Sequence, residues 1–257
     1  MLLHNQVLHQ YRWSRPINWI RAYQDDRLFG SDNKVYKLSL CANAPAGSIK
    51  LKPLSDPAPC YKVSPLQAKF PPRMTTVAVN GKFMYIGTGS VGIAQYNGTK
   101  LVRYFSANHL VSESAPILGL GCRMDGNECY LAAGKSSYSF TDKGWFKPIR
   151  PPEMLGWRFV HFMQDHQGKS IAIARSSKGE VMFLRKQANG KWSPMGGELK
   201  LATGRPNVYV NFAFVTKSYI AWIGIADKGT PRGVYVFNFK KGRVYPPRNY
   251  RLPSGKE

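Results

Sequence analysis

The chain has 257 residues, with 14 Tyr, 13 Phe and 6 Trp beside 24 Gly and 18 Pro, and it carries 37 Lys plus Arg against 14 Asp plus Glu. This length suffices for a sizeable core, and no apolar window approaches the roughly eighteen residues that a membrane-spanning helix needs. The net charge of +23 favours a polyanion, an anionic membrane or an acidic protein as partner, although cations scattered along the whole chain also suit a solvated surface.

The N-terminal quarter of the chain has a strand and turn pattern. Residues 2–24 are typical of two strands broken at Ser14-Arg15-Pro16, with a short helix over the first ten residues as the alternative. Residues 44–73, rich in Pro, Ala, Ser and Lys, predict an elaborated outer strand followed by a loop. Residues 1–6 lack the basic and apolar regions of a secretory signal, so we expect a cytoplasmic protein.

Residues 75–105 form the clearest unit of the chain. The β-prone runs TTVAV, MYIGT, GIAQY and KLVRYF are separated by turn formers, of which Asn97-Gly98 is the strongest hairpin signal. The stretch therefore predicts a four-stranded antiparallel meander, which has the size of one propeller blade. It also contains a match to G-x-G-x-x-G at Gly87, Gly89 and Gly92. A dinucleotide site needs a helix directly after the third glycine. Only four residues separate Gly92 from the Asn97-Gly98 turn, which leaves no room for that helix. We therefore interpret these glycines as hairpin glycines.

The same pattern returns three times, at residues 116–149, 159–195 and 210–247. Aligned second strands begin at Leu28, Met84, Cys129, Ser170 and Tyr219, and periods near 40 to 50 residues are typical of propellers. We therefore predict an all-β fold, a β-propeller of five to six four-stranded antiparallel blades, as one domain over residues 1–257. The expected blades lie at about 17–73, 75–111, 116–152, 158–200 and 208–251. Residues 1–16 would close the ring by adding a strand to the last blade, or would form part of a sixth.

Two of the four cysteines flank a predicted hairpin. Cys122 and Cys129 lie equally far from the Asp125-Gly126 turn, so their Cα atoms should come within about 7 Å of each other. A cross-strand disulfide fits this geometry, but without a signal peptide we favour the reduced pair. No C-x-x-C or nearby histidine pair indicates zinc.

The residues of the second and last units carry a family resemblance. The second unit resembles the two-component regulator propeller repeat. The residues that carry this resemblance are Tyr85-Ile86-Gly87-Thr88, Gly92-Ile93, Tyr96-Asn97-Gly98, and Tyr104-Phe105 followed by Asn108-His109-Leu110. Trp222-Ile223-Gly224 with Gly233-Val234 is similar to it again. The resemblance implies a β-propeller that senses a ligand or acts as a scaffold, often as the periplasmic part of a sensor kinase.

Residues with catalytic or metal-binding chemistry are few. His161, Asp165 and His166 would make part of a metal site, but Asp165-His166-Gln167-Gly168 is more simply a hairpin turn. His109 with Ser112 and Ser114 lacks a third group to orient the histidine, and Asp142 is explained by a turn. We therefore predict no catalytic residue, no metal and no cofactor.

The most basic part of the chain is its C-terminal end. From Lys200 to Glu257 there are eleven Lys plus Arg against two acids. We predict that five of these cations form a basic edge on an outer strand and its turns, and that this edge binds the acidic partner. The five residues are Lys240, Lys241, Arg243, Arg248 and Arg251.

The function that these features favour is a non-catalytic interaction or scaffold module that binds an acidic protein within a larger complex. The first alternative is a nucleic-acid-binding propeller in a ribonucleoprotein or DNA complex. The second is a propeller enzyme with its active site in the central funnel.

Overall fold

A computed structural model describes most of the chain. The described residues are 2–4, 7–9, 14, 19–23, 26–31, 34–43, 46–47, 49–50, 60–71, 74–80, 82–89, 92–106, 117–123, 128–143, 146–150, 156–165, 167–197, 199–203, 208–216, 218–227 and 230–246. Two compact units are present. The first comprises Met1–Ile117 and Met124–Gly126, and the second comprises Leu118–Arg123 and Asn127–Glu257.

The first unit begins with a short hairpin and a five-stranded sheet. The hairpin pairs β1 (Leu2–His4) with β2 (Val7–His9). The sheet has the order β3-β4-β5-β7-β6, with β3 (Trp19–Tyr23), β4 (Asp26–Ser31), β5 (Lys34–Leu40), β6 (Ile49–Lys50) and β7 (Tyr61–Pro65). A 3-10 turn, Cys41–Asn43, follows β5. The elaborated outer strand predicted for residues 44–73 thus corresponds to β7 with the short β6 added beside it.

The second sheet of this unit confirms the meander predicted for residues 75–105. Its order is β11-β10-β9-β8, with β8 (Met74–Val79), β9 (Met84–Thr88), β10 (Gly92–Asn97) and β11 (Lys100–Ser106). No helix follows Gly92, which instead starts β10 with a φ of 108° that favours glycine. The strand β11 lies at one end of the sheet and exposes Leu101, Val102 and Tyr104.

Three sheets make up the second unit. The third sheet is β12-β13-β14-β15, with β12 (Ile117–Cys122), whose first residue belongs to the first unit, β13 (Cys129–Ala133), β14 (Ser136–Phe140) and β15 (Phe146–Pro148). The fourth is β16-β17-β18-β19, with β16 (Trp157–Gln164), β17 (Ser170–Ser176), β18 (Glu180–Lys186) and β19 (Trp192–Pro194); β20 (Lys200–Ala202) also pairs with β18. The fifth is β21-β22-β23-β24, with β21 (Val208–Val215), β22 (Ile220–Asp227), β23 (Thr230–Asn238) and β24 (Arg243–Tyr245).

The core of each unit lies between neighbouring sheets. In the first unit, Leu28 and Val35 of the first sheet pack with Met84 and Ile86 of the second. In the second unit, one cluster joins the fourth and fifth sheets through the aromatic pair Phe183 and Phe237, whose ring centroids are 4.9 Å apart. Because a single sheet cannot bury both its faces, this packing is what stabilises a stack of blades.

The third and fourth sheets approach each other through glycine. A Cβ on Gly121 would lie 2.7 Å from Cβ of Phe162 and 2.8 Å from its carbonyl oxygen, and a Cβ on Gly119 would lie 2.7 Å from the carbonyl oxygen of Val160. The two glycines of the sequence ILGLG therefore set how closely β12 packs against β16.

All four cysteines are in disulfides, Cys41 with Cys60 and Cys122 with Cys129. The predicted facing of Cys122 and Cys129 is confirmed, since their Cα atoms are 3.9 Å apart. The expectation of a reduced pair, which was drawn from the missing signal peptide, is wrong, because the two residues form a disulfide. The Cys41–Cys60 disulfide was not predicted, since no turn signal places those two residues opposite each other.

These sheets confirm the predicted fold class. The chain is all-β, and its five multi-stranded antiparallel sheets are the blades of a β-propeller. The single domain over residues 1–257, the blade boundaries and ring closure by residues 1–16 stay predictions.

Candidate functional site

Three of the five residues predicted for the basic edge lie in the described structure. Lys240 and Lys241 occupy the turn between β23 and β24, and Arg243 is the first residue of β24, the last strand in the order of the fifth sheet. All three are exposed. Arg248 and Arg251 lie outside the described residues. We refer to Lys240, Lys241 and Arg243 as the basic turn.

The basic turn is fixed by its backbone and by one aromatic residue. The amide of Lys241 donates to Oδ1 of Asn238 at 3.0 Å, and Gly242 has a φ of 59° that favours glycine. Phe239 precedes the two lysines and packs against Phe183 and Phe237, at 5.5 and 6.1 Å between ring centroids. This anchoring presents the cations from a defined position on the fifth sheet.

The charges of the basic turn are unneutralised within the described part of the chain. None of its three side chains takes part in an ion pair there. Three neighbouring cations repel one another, and an anionic partner would relieve that repulsion. The arrangement is therefore suited to electrostatic recognition of an acidic surface.

The candidate metal residues have a different role in the structure. His161 and Asp165 are both buried, and His166 lies outside the described residues. Oδ1 of Asp165 accepts hydrogen bonds from the amides of Gln167 at 2.9 Å and Lys169 at 3.0 Å, which confirms the hairpin turn. No group of three or more metal-binding side chains occurs among the residues that the structure describes.

The other carboxylate oxygen of Asp165 faces a cation. Nη2 of Arg185 lies 3.3 Å from Oδ2 of Asp165, whose side chain is fully buried. The guanidinium also lies 5.0 Å from the ring centroid of Tyr219, a residue with a φ of 57°. Asp165 thus joins the turn that follows β16 to β18 through hydrogen bonds and an ion pair.

The remaining catalytic candidates gain no support. Asp142 lies exposed in the turn between β14 and β15, as predicted. His109, Ser112 and Ser114 lie outside the described residues.

A polar network that sequence reasoning missed joins the third and fourth sheets. Nζ of Lys186 donates to Oε2 of Glu128 at 2.7 Å and to the hydroxyl of Tyr130 at 3.0 Å, and that hydroxyl donates to the same carboxylate oxygen at 2.7 Å. Glu128 and Tyr130 are two residues apart at the start of β13, but Lys186 is 58 residues from Glu128, and no local pattern indicates such a partner.

The electrostatics of this network keep its groups in their ordinary charge states at neutral pH. Burial opposes ionisation of Glu128, but hydrogen bonds from Lys186 and Tyr130 and the attraction of Lys186 outweigh it, so the pKa of Glu128 is lowered. Burial likewise opposes charge on Lys186, yet its bonds to Glu128 and Tyr130 raise its pKa. Lys186 therefore stays protonated at neutral pH, which suits a structural ion pair and not a general base.

We predict that the Glu128→Gln substitution lowers the free energy of unfolding at pH 7 by about 1–2 kcal/mol. Because the pKa of Glu128 is lowered by folding, its contribution is complete above the carboxylate's unfolded pKa and disappears as the pH falls through the folded value. The difference between wild type and variant should therefore shrink in acid. Urea unfolding between pH 3 and pH 7 measures it. The control is Glu180→Gln, whose side chain forms no ion pair with any described residue; an equal loss in both variants contradicts the prediction.

Comparison with solved structures supports the β-propeller fold that the sheets define. No protein-family model and no curated protein sequence matches the chain. The extracellular domain of BT4673 from B. thetaiotaomicron, described as a one component system, matches over 93% of this chain with 12% identity and a TM-score of 0.56. A second structure, of the extracellular domain described as that of the hybrid two component system BT4673 from the same organism, matches over 96% with 11% identity and a TM-score of 0.57.

These neighbours confirm the resemblance to the two-component regulator propeller at the level of fold. This chain covers 35% and 36% of their respective lengths, about a third of each. Because 421 solved chains match, the likeness identifies a widespread fold and does not by itself assign an activity.

The predicted cytoplasmic location is wrong. Both neighbours are extracellular domains, and both cysteine pairs of this chain form disulfides, which persist in oxidising compartments. The prediction rested on the first six residues alone, and those residues carry no information about the environment of the folded sheets. Among the described residues, no helix has the length and apolar character needed to cross a membrane.

Proposed function

We propose that this chain is a non-catalytic recognition module that works outside the cytoplasm and binds an acidic protein through its basic turn. The observation that carries the proposal is the set of three exposed cations, Lys240, Lys241 and Arg243, with no ion pair among the described residues and an aromatic anchor beneath them. The extracellular location of the neighbouring domains supports the setting.

A fixed, exposed cluster of cations increases the rate of encounter with an acidic surface. Exposed charges of this kind change the association rate and its salt dependence more than they change the dissociation rate. The proposal therefore implies binding that weakens with salt but keeps a defined stoichiometry, because the surrounding surface of the fifth sheet supplies the shape.

The test is capture of the partner with the whole chain, from the secreted or periplasmic fraction of the native source, with and without nuclease. We expect one acidic protein to be retained by the wild type and lost, by about tenfold or more, after Lys240→Glu, Lys241→Glu and Arg243→Glu together. The matched control reverses three exposed lysines elsewhere, Lys34→Glu, Lys50→Glu and Lys147→Glu, and should retain it.

Unchanged capture by the triple variant of the basic turn would show that these cations are only a solvated surface. Nucleic-acid binding is the alternative that the net charge alone supports. It predicts that nuclease abolishes capture and that log K falls with log salt by roughly 0.9 for each duplex phosphate neutralised. The enzymatic alternative stays a prediction.

A further inference from the structure

A cleft between the third and fourth sheets has features of a ligand site and lies within the second unit. It has a volume of about 570 Å³. The residues that line it come from the β13–β14 turn, β14, the end of β15 and the start of β16, and they are Lys135, Ser136, Ser137, Tyr138, Pro148, Ile149, Arg150, Gly156, Trp157, Arg158 and Phe159. This volume falls within the range of small-molecule sites, roughly 300–1,000 Å³.

Every charged residue among the described residues that line the cleft is a cation. Lys135 and Arg150 are exposed and Arg158 is partly buried, and none of the three forms an ion pair with a residue that the structure describes. Arg158 lies opposite Arg175, also a cation, in the pairing of β16 with β17. Positive charges around one concave space, with no ion-pair partner among the described residues, favour an anion there.

The cleft also offers flat apolar surface. Trp157 and Tyr138 are partly buried in its lining, and the partly buried Ile149 adds aliphatic carbon. Nζ of Lys200 lies 5.7 Å from the centroid of the Trp157 ring, which adds a fourth cation beside this aromatic side chain. Ser136 and Ser137 supply hydroxyl groups, which can donate to an anionic oxygen.

We propose that this cleft binds a small organic anion in which a phosphate, sulfate or carboxylate group lies beside a flat apolar part. Lys135, Arg150 and Arg158 contact the anionic group, and the flat part lies against Trp157. The three cations that line the space discriminate against neutral molecules of the same shape, and the aromatic side chains discriminate against inorganic anions. The site is distinct from the basic turn and does not depend on the function proposed above.

The test uses phenyl phosphate as probe, titrated into the full chain by calorimetry at low salt, with inorganic phosphate and benzyl alcohol as the partial probes. We expect phenyl phosphate to bind with one-to-one stoichiometry and more tightly than either partial probe. Replacing the two exposed cations, Lys135→Gln with Arg150→Gln, should weaken it by about tenfold or more, because a charged hydrogen bond contributes that much. The matched control, Lys34→Gln with Lys50→Gln, removes the same charge elsewhere and should change the affinity less than about twofold.

The aromatic contribution is tested separately with Trp157→Leu, whose melting temperature is checked against the wild type. In that variant phenyl phosphate should bind no better than inorganic phosphate. The proposal is overturned if millimolar phenyl phosphate does not bind the wild type, if the control pair weakens binding as much as the cleft pair, or if inorganic phosphate binds as tightly as phenyl phosphate. Titrations with benzoate, which carries a carboxylate, and with phenyl sulfate then show which of the three anionic groups binds most tightly.

Discussion

Replacing Asp165 with alanine is expected to lower the free energy of unfolding by about 3–4 kcal/mol, the largest single effect among the described carboxylates. The side chain is fully buried, and its loss leaves the guanidinium of Arg185 without the carboxylate 3.3 Å away. The same change removes the acceptor for the amides of Gln167 and Lys169 in the turn after β16. Urea unfolding monitored by tryptophan fluorescence measures the loss.

Two further variants separate the parts of this effect. Asp165→Asn keeps an acceptor for the turn but removes the charge, so it should cost less than the alanine variant. Asp142→Ala is the matched control, because Asp142 is an exposed turn residue of the adjacent third sheet, and it should stay within about 0.5 kcal/mol of the wild type. If Asp165→Ala is no more destabilised than Asp142→Ala, the ion pair with Arg185 has no stabilising role.

Reduction of the two disulfides is expected to have the next largest effect. Cys41 and Cys60 are separated by 19 residues and Cys122 and Cys129 by 7, and closing loops of these lengths restricts the unfolded chain enough to stabilise by about 2–4 kcal/mol each. Thermal unfolding of the wild type with and without dithiothreitol should show a clear decrease in Tm.

Variants assign that decrease to each bond. The pair Cys122→Ser with Cys129→Ser and the pair Cys41→Ser with Cys60→Ser should each lower Tm by part of the total, and the fourfold serine variant should no longer respond to the reductant. A wild type whose Tm is the same with and without dithiothreitol, while mass spectrometry shows four free thiols only after reduction, would contradict the expected stabilisation.

The strands were predictable from sequence because hairpins are local. In residues 75–105 each strand is short, β-prone and bounded by turn residues such as Asn97-Gly98, so neighbours in sequence are neighbours in the sheet. The predicted starts of three second strands, Met84, Cys129 and Ser170, are the observed first residues of β9, β13 and β17. The fourth sheet was less regular than predicted, since β19 and β20 each pair with a different half of β18.

Interactions between sheets were not predictable in the same way. Asp165 was found in sequence as a turn residue, but nothing near it indicates that Arg185 neutralises its second oxygen. Glu128 and Lys186 belong to different sheets, and the cleft combines a turn, a strand end and a strand start that are separate in the chain. Such sites depend on how one blade packs against the next, which the spacing of hairpins within a blade does not specify.

The predicted partner site was found from the distribution of charge along the chain, and not from strand and turn patterns. Counting charge identified the C-terminal end as the most basic part of the chain, and the structure shows three of its cations exposed on one turn. Charge counting could not identify the cleft, because Lys135, Arg150 and Arg158 are ordinary isolated cations in the sequence. The structure places all three, together with Trp157, in the lining of one cleft.

The strand β11 has a consequence for handling the protein at high concentration. Within the described residues it pairs only with β10, and it exposes Leu101, Val102 and Tyr104 at 50%, 48% and 40% of their surface. A strand at the end of a sheet offers its backbone amides and carbonyls to another chain, so two copies can join edge to edge. Lys100, which is exposed on the same strand, repels its counterpart in a second copy. Colloidal stability should therefore decrease as salt screens that repulsion, and low ionic strength is the better condition for concentrating the protein before crystallisation.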